Sequence, residues 1–146
     1  MVQPSVSDQE QVVDTMIALT RLSNLHRTII AGKDSMRLYV SLRRRGFIRV
    51  ATPAICSACR REHSVGLIAG QASLATIEAA LTQVSRFLDD RAAIAILIDS
   101  RDAEFCLKVR RKLEQMGFQI EAGVRCHQGL VLSAYRQGLA QMEQAA

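Results

Sequence analysis

The sequence predicts a doubly wound α/β fold. This is a mostly parallel sheet with helices on both faces, preceded by an N-terminal helix and closed by a C-terminal antiparallel hairpin. Three observations carry the prediction. Apolar runs of strand length alternate with stretches of helical period, one strand–turn–helix pattern occurs twice, and the last two apolar runs are five residues apart.

The first element is an amphipathic helix. Ser7 and Glu10 have the S-x-x-E spacing of a capping box, and Val12, Val13, Met16, Ile17 and Thr20 follow at helical intervals. Thr28-Ile29-Ile30-Ala31 is a run of buried-strand length stopped by Gly32, with Asp34 or Ser35 as N-cap of a helix that ends near Gly46. Phe47 to Thr52 reads as the next strand, closed by Pro53. Strand, helix and strand together take about 25 residues, close to the ~30 of a parallel crossover.

Ile29-Ile30-Ala31-Gly32-Lys33-Asp34-Ser35-Met36 aligns without gaps on Leu67-Ile68-Ala69-Gly70-Gln71-Ala72-Ser73-Leu74. Both copies read as a strand, a tight turn and a capped helix. After the second copy, Leu74, Ile77, Leu81, Val84 and Leu88 form one apolar stripe, and Ala92 to Ile98 is a nearly continuous apolar strand covered on both faces. Asp99 and Ser100 start a third helix whose Phe105, Val109, Leu113 and Met116 face one way and which Gly117 ends. Phe118 to Val124 and Leu130 to Arg136 are the final strands. The five residues Arg125 to Gly129 permit only an antiparallel pair.

A chain of 146 residues, 49% apolar, 23% charged and with 2 prolines, has the composition of one packed globular domain, which excludes disorder and low complexity. No run reaches the length of a membrane span, and the opening MVQPSVSDQEQ has neither the basic flank nor the apolar stretch of a signal peptide, so the expected location is cytoplasmic, with no membrane partner. Expected boundaries are a helical arm over 1–24, the α/β domain over 25–137 and a tail over 138–146.

The net charge of +5 is uneven. Residues 1–20 carry Asp8, Glu10 and Asp14 without a base, residues 21–64 carry ten bases against Asp34 and Glu62, and beyond residue 64 nine bases meet nine acids. The segment from Arg37 to Arg61 could therefore meet phosphates or an acidic partner, or be a solvated helix face. With 4% aromatic residues and no Trp, few platforms exist for stacking bases.

The end of the chain resembles a class I S-adenosylmethionine-dependent methyltransferase, a Rossmann-like family. The residues concerned are the buried strand 92–98, the helix finishing Lys112-Leu113-Glu114-Gln115-Met116-Gly117-Phe118, and the last strand Gly129-Leu130-Val131-Leu132-Ser133-Ala134-Tyr135-Arg136. The resemblance covers about residues 25–137, with the helix, strand and helix that normally follow the second strand reduced to segment 53–64. It implies a cofactor site at the carboxyl ends of the strands. There the family has a glycine-rich loop after its first strand and an acidic residue at the end of its second. This chain has Ala31-Gly32-Lys33-Asp34-Ser35 and Ala51-Thr52-Pro53 at those places.

Cys56-Ser57-Ala58-Cys59 and His63, with Cys126-His127 far along the chain, allow three readings. They are structural thiols in a reducing compartment; a zinc site of Cys56, Cys59 and His63 completed by one of the distant pair; or a redox pair near a short helix capped by Thr52 with Pro53 at its first position. Cys106 reads as packing, and His26 and His127 as surface or hydrogen-bonded residues.

The expected function is that of a non-catalytic methyltransferase-like domain, with a regulatory, ligand-binding or interaction role. Its crevice would be formed by Gly32, Lys33, Asp34, Ser35, Gly70 and Asp99, and would suit a small anionic ligand at helix N-termini. No cofactor is expected, with S-adenosylmethionine and zinc left open. The alternatives are methyl transfer, with Lys33, Asp34 and Asp99 replacing the lost contacts, and binding of nucleic acid or an acidic partner through the basic segment. A homodimer would follow if the N-terminal helix and the tail Leu139 to Met142 cover sheet faces or edges left bare by the short middle.

Overall fold

The computed structural model describes residues 6–54, 61–71 and 73–136. Its elements are α1 (Val6–Thr20), β1 (Thr28–Gly32), α2 (Ser35–Arg44), β2 (Val50–Ala51), β3 (His63–Gln71), α3 (Leu74–Ser85), β4 (Leu88–Ile98), α4 (Ala103–Gln115), β5 (Phe118–Arg125) and β6 (Leu130–Arg136). The six strands form one sheet in the order β2-β1-β3-β4-β6-β5. β2, β1, β3 and β4 are parallel, and β6 runs antiparallel to both β4 and β5. Among the described residues no helix is long and apolar enough to cross a membrane.

Alternation along the strands divides the core into two layers. Ile29 and Ala31 of β1, Ile68 of β3 and Ile94, Ile96 and Ile98 of β4 point to one face, where Ile77, Leu81 and Val84 of α3 and Val109 and Leu113 of α4 cover them. Ile30, Leu67, Ala95 and Leu97 point to the other face, under Val12, Val13 and Met16 of α1 and Leu38 and Leu42 of α2. β4 is apolar almost throughout because both of its faces are covered. At Gly66 of β3 an added Cβ would lie 2.8 Å from Val84 Cγ1, so the missing side chain is what lets α3 pack close to the sheet.

The charge asymmetry of the sequence holds α1 in place. Glu10 and Asp14 both take the guanidinium of Arg45, at the C-terminal end of α2, and Ser41 Oγ donates to Glu10 at 3.2 Å. Arg21 pairs with Glu121, Arg27 with Glu62 and Arg61 with Asp90. Such exposed pairs contribute little individually. Within the segment from Arg37 to Arg61 they occupy Arg45 and Arg61, while Arg37, Arg43, Arg44 and Arg49 have no ion-pair partner among the described residues.

Several boundaries differ from the expected ones. α1 is already helical at Val6, so Ser7 is not its N-cap, and Glu10 is an ion-pair partner instead of one half of a capping box. The second strand is two residues long, because Phe47 and Ile48 precede the pairing and Ile48 is 65% exposed. The two repeat copies cap differently. Ser73 closes a capping box with Thr76, whereas the corresponding Ser35 is the first helical residue and Asp34 holds the cap position, without a side-chain cap bond. α4 starts at Ala103 with Asp102 as its cap, accepting from the Glu104 N–H at 3.0 Å, so Asp99 and Ser100 belong to the preceding loop. β5 extends to Arg125, which leaves four residues in the hairpin loop.

Candidate functional site

In a parallel sheet the loops that follow the strands gather at one end, and here they bring together residues far apart in sequence. β1 ends in Gly32 (φ 110°), followed by Lys33 and the cap residue Asp34. β3 lies beside β1, with Gly32 paired to Ala69, so Gly70 stands next to the β1 loop. A Cβ added at Gly70 would lie 3.0 Å from Asp34 Oδ2, which places the Asp34 carboxylate directly against that glycine. β4 ends at Ile98, and Asp99 follows it within electrostatic reach of both Lys33 and Asp34. Of the six expected crevice residues, Gly32, Lys33, Asp34, Gly70 and Asp99 converge in this way. Ser35 begins α2 beside them.

The crevice holds two carboxylates and one ammonium. Partial burial pushes the Asp99 carboxyl above its ordinary range although much of the residue is exposed, and Asp34 adds to this, while a backbone hydrogen bond and Lys33 oppose it. An aspartate whose folded pKa is raised is a cost at neutral pH. Stability falls as pH rises from the unfolded-state pKa through the folded one, and is regained on acidification. Asp99→Asn is therefore expected to raise the Tm at pH 7, with the gain vanishing below the ordinary aspartate range. Thermal melts of both proteins across pH 3 to 8 check this.

At the end of β2 the chain presents Ala51, Thr52 and Pro53. Thr52 is buried at 7% exposure, and no carboxylate stands among these residues. At the same end of the sheet as the crevice loops, the β5–β6 turn closes on the end of β4. Cys126 N–H donates to Gly129 O at 2.7 Å, and Cys126 Sγ lies 3.4 Å from Thr15 Oγ1 of α1. The backbone N–H of His127 donates to Gln11 Oε1, and the His26 ring accepts from the Ser23 N–H at Nδ1, as expected of a hydrogen-bonded His26.

Cys56 and Cys59 lie outside the described residues, as does Ala72 of the repeat. His63 starts β3, buried, with its N–H on Phe87 O at 2.9 Å and its ring edge-on to Phe87. It stands at the amino end of the sheet, whereas Cys126 and His127 stand at the carboxyl end, about 25 Å away at ~3.3 Å per residue of β3. One ion cannot bridge that distance, so the distant pair cannot complete a zinc site with His63. Among the described residues no group of three His, Cys, Asp or Glu could hold a metal. Cys106 Sγ lies 4.0 Å from Ser100 O, on the loop before α4.

Sequence reasoning did not find a second cavity next to this crevice. A cleft of about 470 Å³ runs between α1 and α2 and opens at Asp34, Gly70 and Gln128. Its floor is Ala69 and Leu97 of the sheet.

Comparison by sequence finds no match, neither among protein-family models nor among curated proteins. Comparison of structures finds many. A protein-(glutamine-N5) methyltransferase, release factor-specific, from Alicyclobacillus acidocaldarius is 17% identical, with 94% of this chain and 99% of that one covered and a TM-score of 0.58. The precorrin-6y C5,15-methyltransferase of Geobacter metallireducens is 12% identical over 88% of this chain and 89% of that one, at a TM-score of 0.61. The chain has the class I methyltransferase fold. A third match is the 1,6-didemethyltoxoflavin-N1-methyltransferase of Burkholderia thailandensis, solved with S-adenosylhomocysteine (12% identity, 90% and 79% covered, TM-score 0.60). Against that fold this methyltransferase-like chain is shortened in the middle, where eleven residues join β2 to β3.

Proposed function

We propose that this chain is a methyltransferase-fold domain that works by binding a ligand or partner at the carboxyl ends of its strands, without transferring a methyl group. The observation that carries this reading is the end of β2. Thr52 is buried there ahead of Pro53, where the resemblance to the family calls for a carboxylate that accepts from ribose hydroxyls. The end of β1 supports it. Only one glycine stands in that loop, and the open side of Gly70 is faced by this chain's own Asp34 carboxylate. Two of the contacts by which the family holds S-adenosylmethionine thus have no counterpart in these residues. The charge balance, Lys33 against Asp34 and Asp99, also disfavours a simple anion in the crevice and favours a ligand that carries a positive group.

The same two carboxylates favour a second reading. A negative crevice suits a sulfonium, and the Burkholderia neighbour was solved with S-adenosylhomocysteine. In that reading Lys33, Asp34 and Asp99 would hold the cofactor. Calorimetric titration with S-adenosylmethionine, S-adenosylhomocysteine and inorganic phosphate separates the two. The binding-domain reading expects no heat from either adenosyl compound, and saturable binding of S-adenosylmethionine would replace it with the second.

A further inference from the structure

The net charge of +5 is gathered at one end of the sheet. The segments at the amino ends of the parallel strands are 25–28, 43–50, 61–63 and 86–91, and the antiparallel β6 ends beside them at Arg136. Together they carry nine arginines against three acids, Glu62, Asp89 and Asp90. Of the nine, Arg45 is taken by α1 through Glu10 and Asp14. The loops at the carboxyl ends are balanced instead, with Lys33, Arg101 and Arg125 against Asp34, Asp99 and Asp102.

Five of these arginines stand in a row, one from each strand in sheet order: Arg49 before β2, Arg27 before β1, Arg61 before β3, Arg86 before β4 and Arg136 ending β6. Hydrogen bonds hold their segments side by side. Thr28 N–H donates to Arg49 O at 2.8 Å, Ser64 N–H to Arg27 O at 2.9 Å and Arg61 N–H to Arg86 O at 3.1 Å, and the Arg136 guanidinium reaches Leu88 O. At ~4.8 Å per strand the row is about 19 Å long. Arg49, Arg27, Arg61 and Arg86 are exposed. Among the described residues Arg49 and Arg86 have no ion-pair partner. Arg27 with Glu62 and Arg61 with Asp90 are exposed pairs, weak enough for another anion to displace. Arg136 spends its donors on carbonyls and adds charge alone. With Ser85 and Met116, the Arg61, Arg86 and Arg136 side chains wall an open hollow of about 510 Å³ that no acid lines.

We infer that this amino edge of the sheet binds the sugar–phosphate backbone of a duplex nucleic acid, without reading its sequence. Each strand of a duplex carries one phosphate per ~3.4 Å of axis, so a row of about 19 Å runs past five or six of them. Phe47 and Phe87, the phenylalanines of these segments, are packed against the core, which leaves no ring to stack on unpaired bases and favours a duplex. The exposed large apolar side chains at this end, Leu25 and Ile48, stand where β1 and β2 begin, so the middle of the row offers no apolar centre to a protein partner or a bilayer. The inference goes beyond the function proposed above: the row lies at the opposite end of the sheet from the crevice and holds whichever ligand the crevice takes.

Fluorescein-labelled duplexes of about 20 base pairs are the probes, two DNAs of unrelated sequence and one RNA, read by anisotropy with the full chain at low salt. Saturable binding is expected, equal within about twofold for the two DNAs. DNA affinity should fall with added salt at a log–log slope of about 3 to 4, from ~0.9 per phosphate met by Arg27, Arg49, Arg61 and Arg86. Arg49→Gln with Arg86→Gln should weaken binding at least tenfold and lower the slope by about two. Arg101→Gln with Arg125→Gln removes the same charge at the carboxyl end and should change affinity less than about threefold. All four positions are exposed, so the melting temperatures should be retained. No saturable binding of any duplex would overturn the proposal, as would equal losses in the two double variants. Tighter binding to phosphatidylserine vesicles than to any duplex, lost in Leu25→Ser with Ile48→Ser, would assign this end to a membrane surface and overturn it as well.

Discussion

Replacing Gly129 by valine is expected to destabilise the protein by about 3 kcal/mol or more, which for a chain of this size lowers the melting temperature by roughly 10 °C. The pairing of Ile98 with Leu130 brings the end of the β5–β6 turn over the end of β4. A Cβ on Gly129 would lie 2.4 Å from Ile98 O and 2.9 Å from the Asp99 Cα. Both atoms are backbone, the first in a strand paired on its two sides and the second just beyond its end, so no side-chain rotation relieves the overlap. Either the turn lifts, breaking the Cys126–Gly129 closure, or the β4 end moves and carries Asp99 with it. Gly117→Ala is the comparison. Its φ of 90° makes alanine strained, but nothing lies within 4 Å of the added atom, so about 1–2 kcal/mol is expected. Thermal and urea unfolding of both variants measures the difference, and equal losses would show that the close approach at Gly129 is not what limits the turn.

Arg136→Met should cost about 2–3 kcal/mol at the opposite end of the sheet. The Arg136 guanidinium donates to Leu88 O at 2.9 Å, Asp89 O at 3.2 Å and Ser85 O at 3.4 Å, and lies 5.0 Å from the centre of the Phe118 ring. One side chain thus ties the end of α3, the start of β4, β6 and β5. Burial and the neighbouring Arg61 lower its pKa, so its charge is held at some cost that the three carbonyls offset. Methionine keeps the apolar stem but removes every donor. Lysine keeps the charge but cannot reach three carbonyls with a planar fork, so Arg136→Lys should recover less than half of the loss. Urea unfolding of the three proteins checks this, and a lysine variant as stable as the original would show that charge alone is needed.

The elements that were legible in the sequence are those whose signal is local. Ala92 to Ile98 could only be a strand covered on both sides, and the Ile77, Leu81 and Val84 stripe could only face a core, because periodicity and burial coincide there. The repeat of Ile-Ala-Gly located two of the three crevice loops before any geometry was known, since strands running in parallel must end on the same side. Phe47 and Ile48 misled because their type favours a strand, whereas the chain places them outside a two-residue edge pairing. Asp99, Ser100 and Asp102 share the same capping chemistry within four residues, and only the backbone shows that Asp102 caps α4. The α1–α2 cleft and the clasp of Arg45 by Glu10 and Asp14 join residues some thirty positions apart, and no window of sequence contains them.

The most direct measurement on the central claim is equilibrium dialysis of the purified chain against radiolabelled S-adenosylmethionine. With Thr52 in place of a ribose acceptor and Asp34 filling the space beside Gly70, retention is expected to stay at background up to millimolar ligand, and to be unchanged by Lys33→Ala or Asp99→Asn. Stoichiometric retention that either substitution abolishes would contradict the account and make this chain a methyltransferase with an altered cofactor grip.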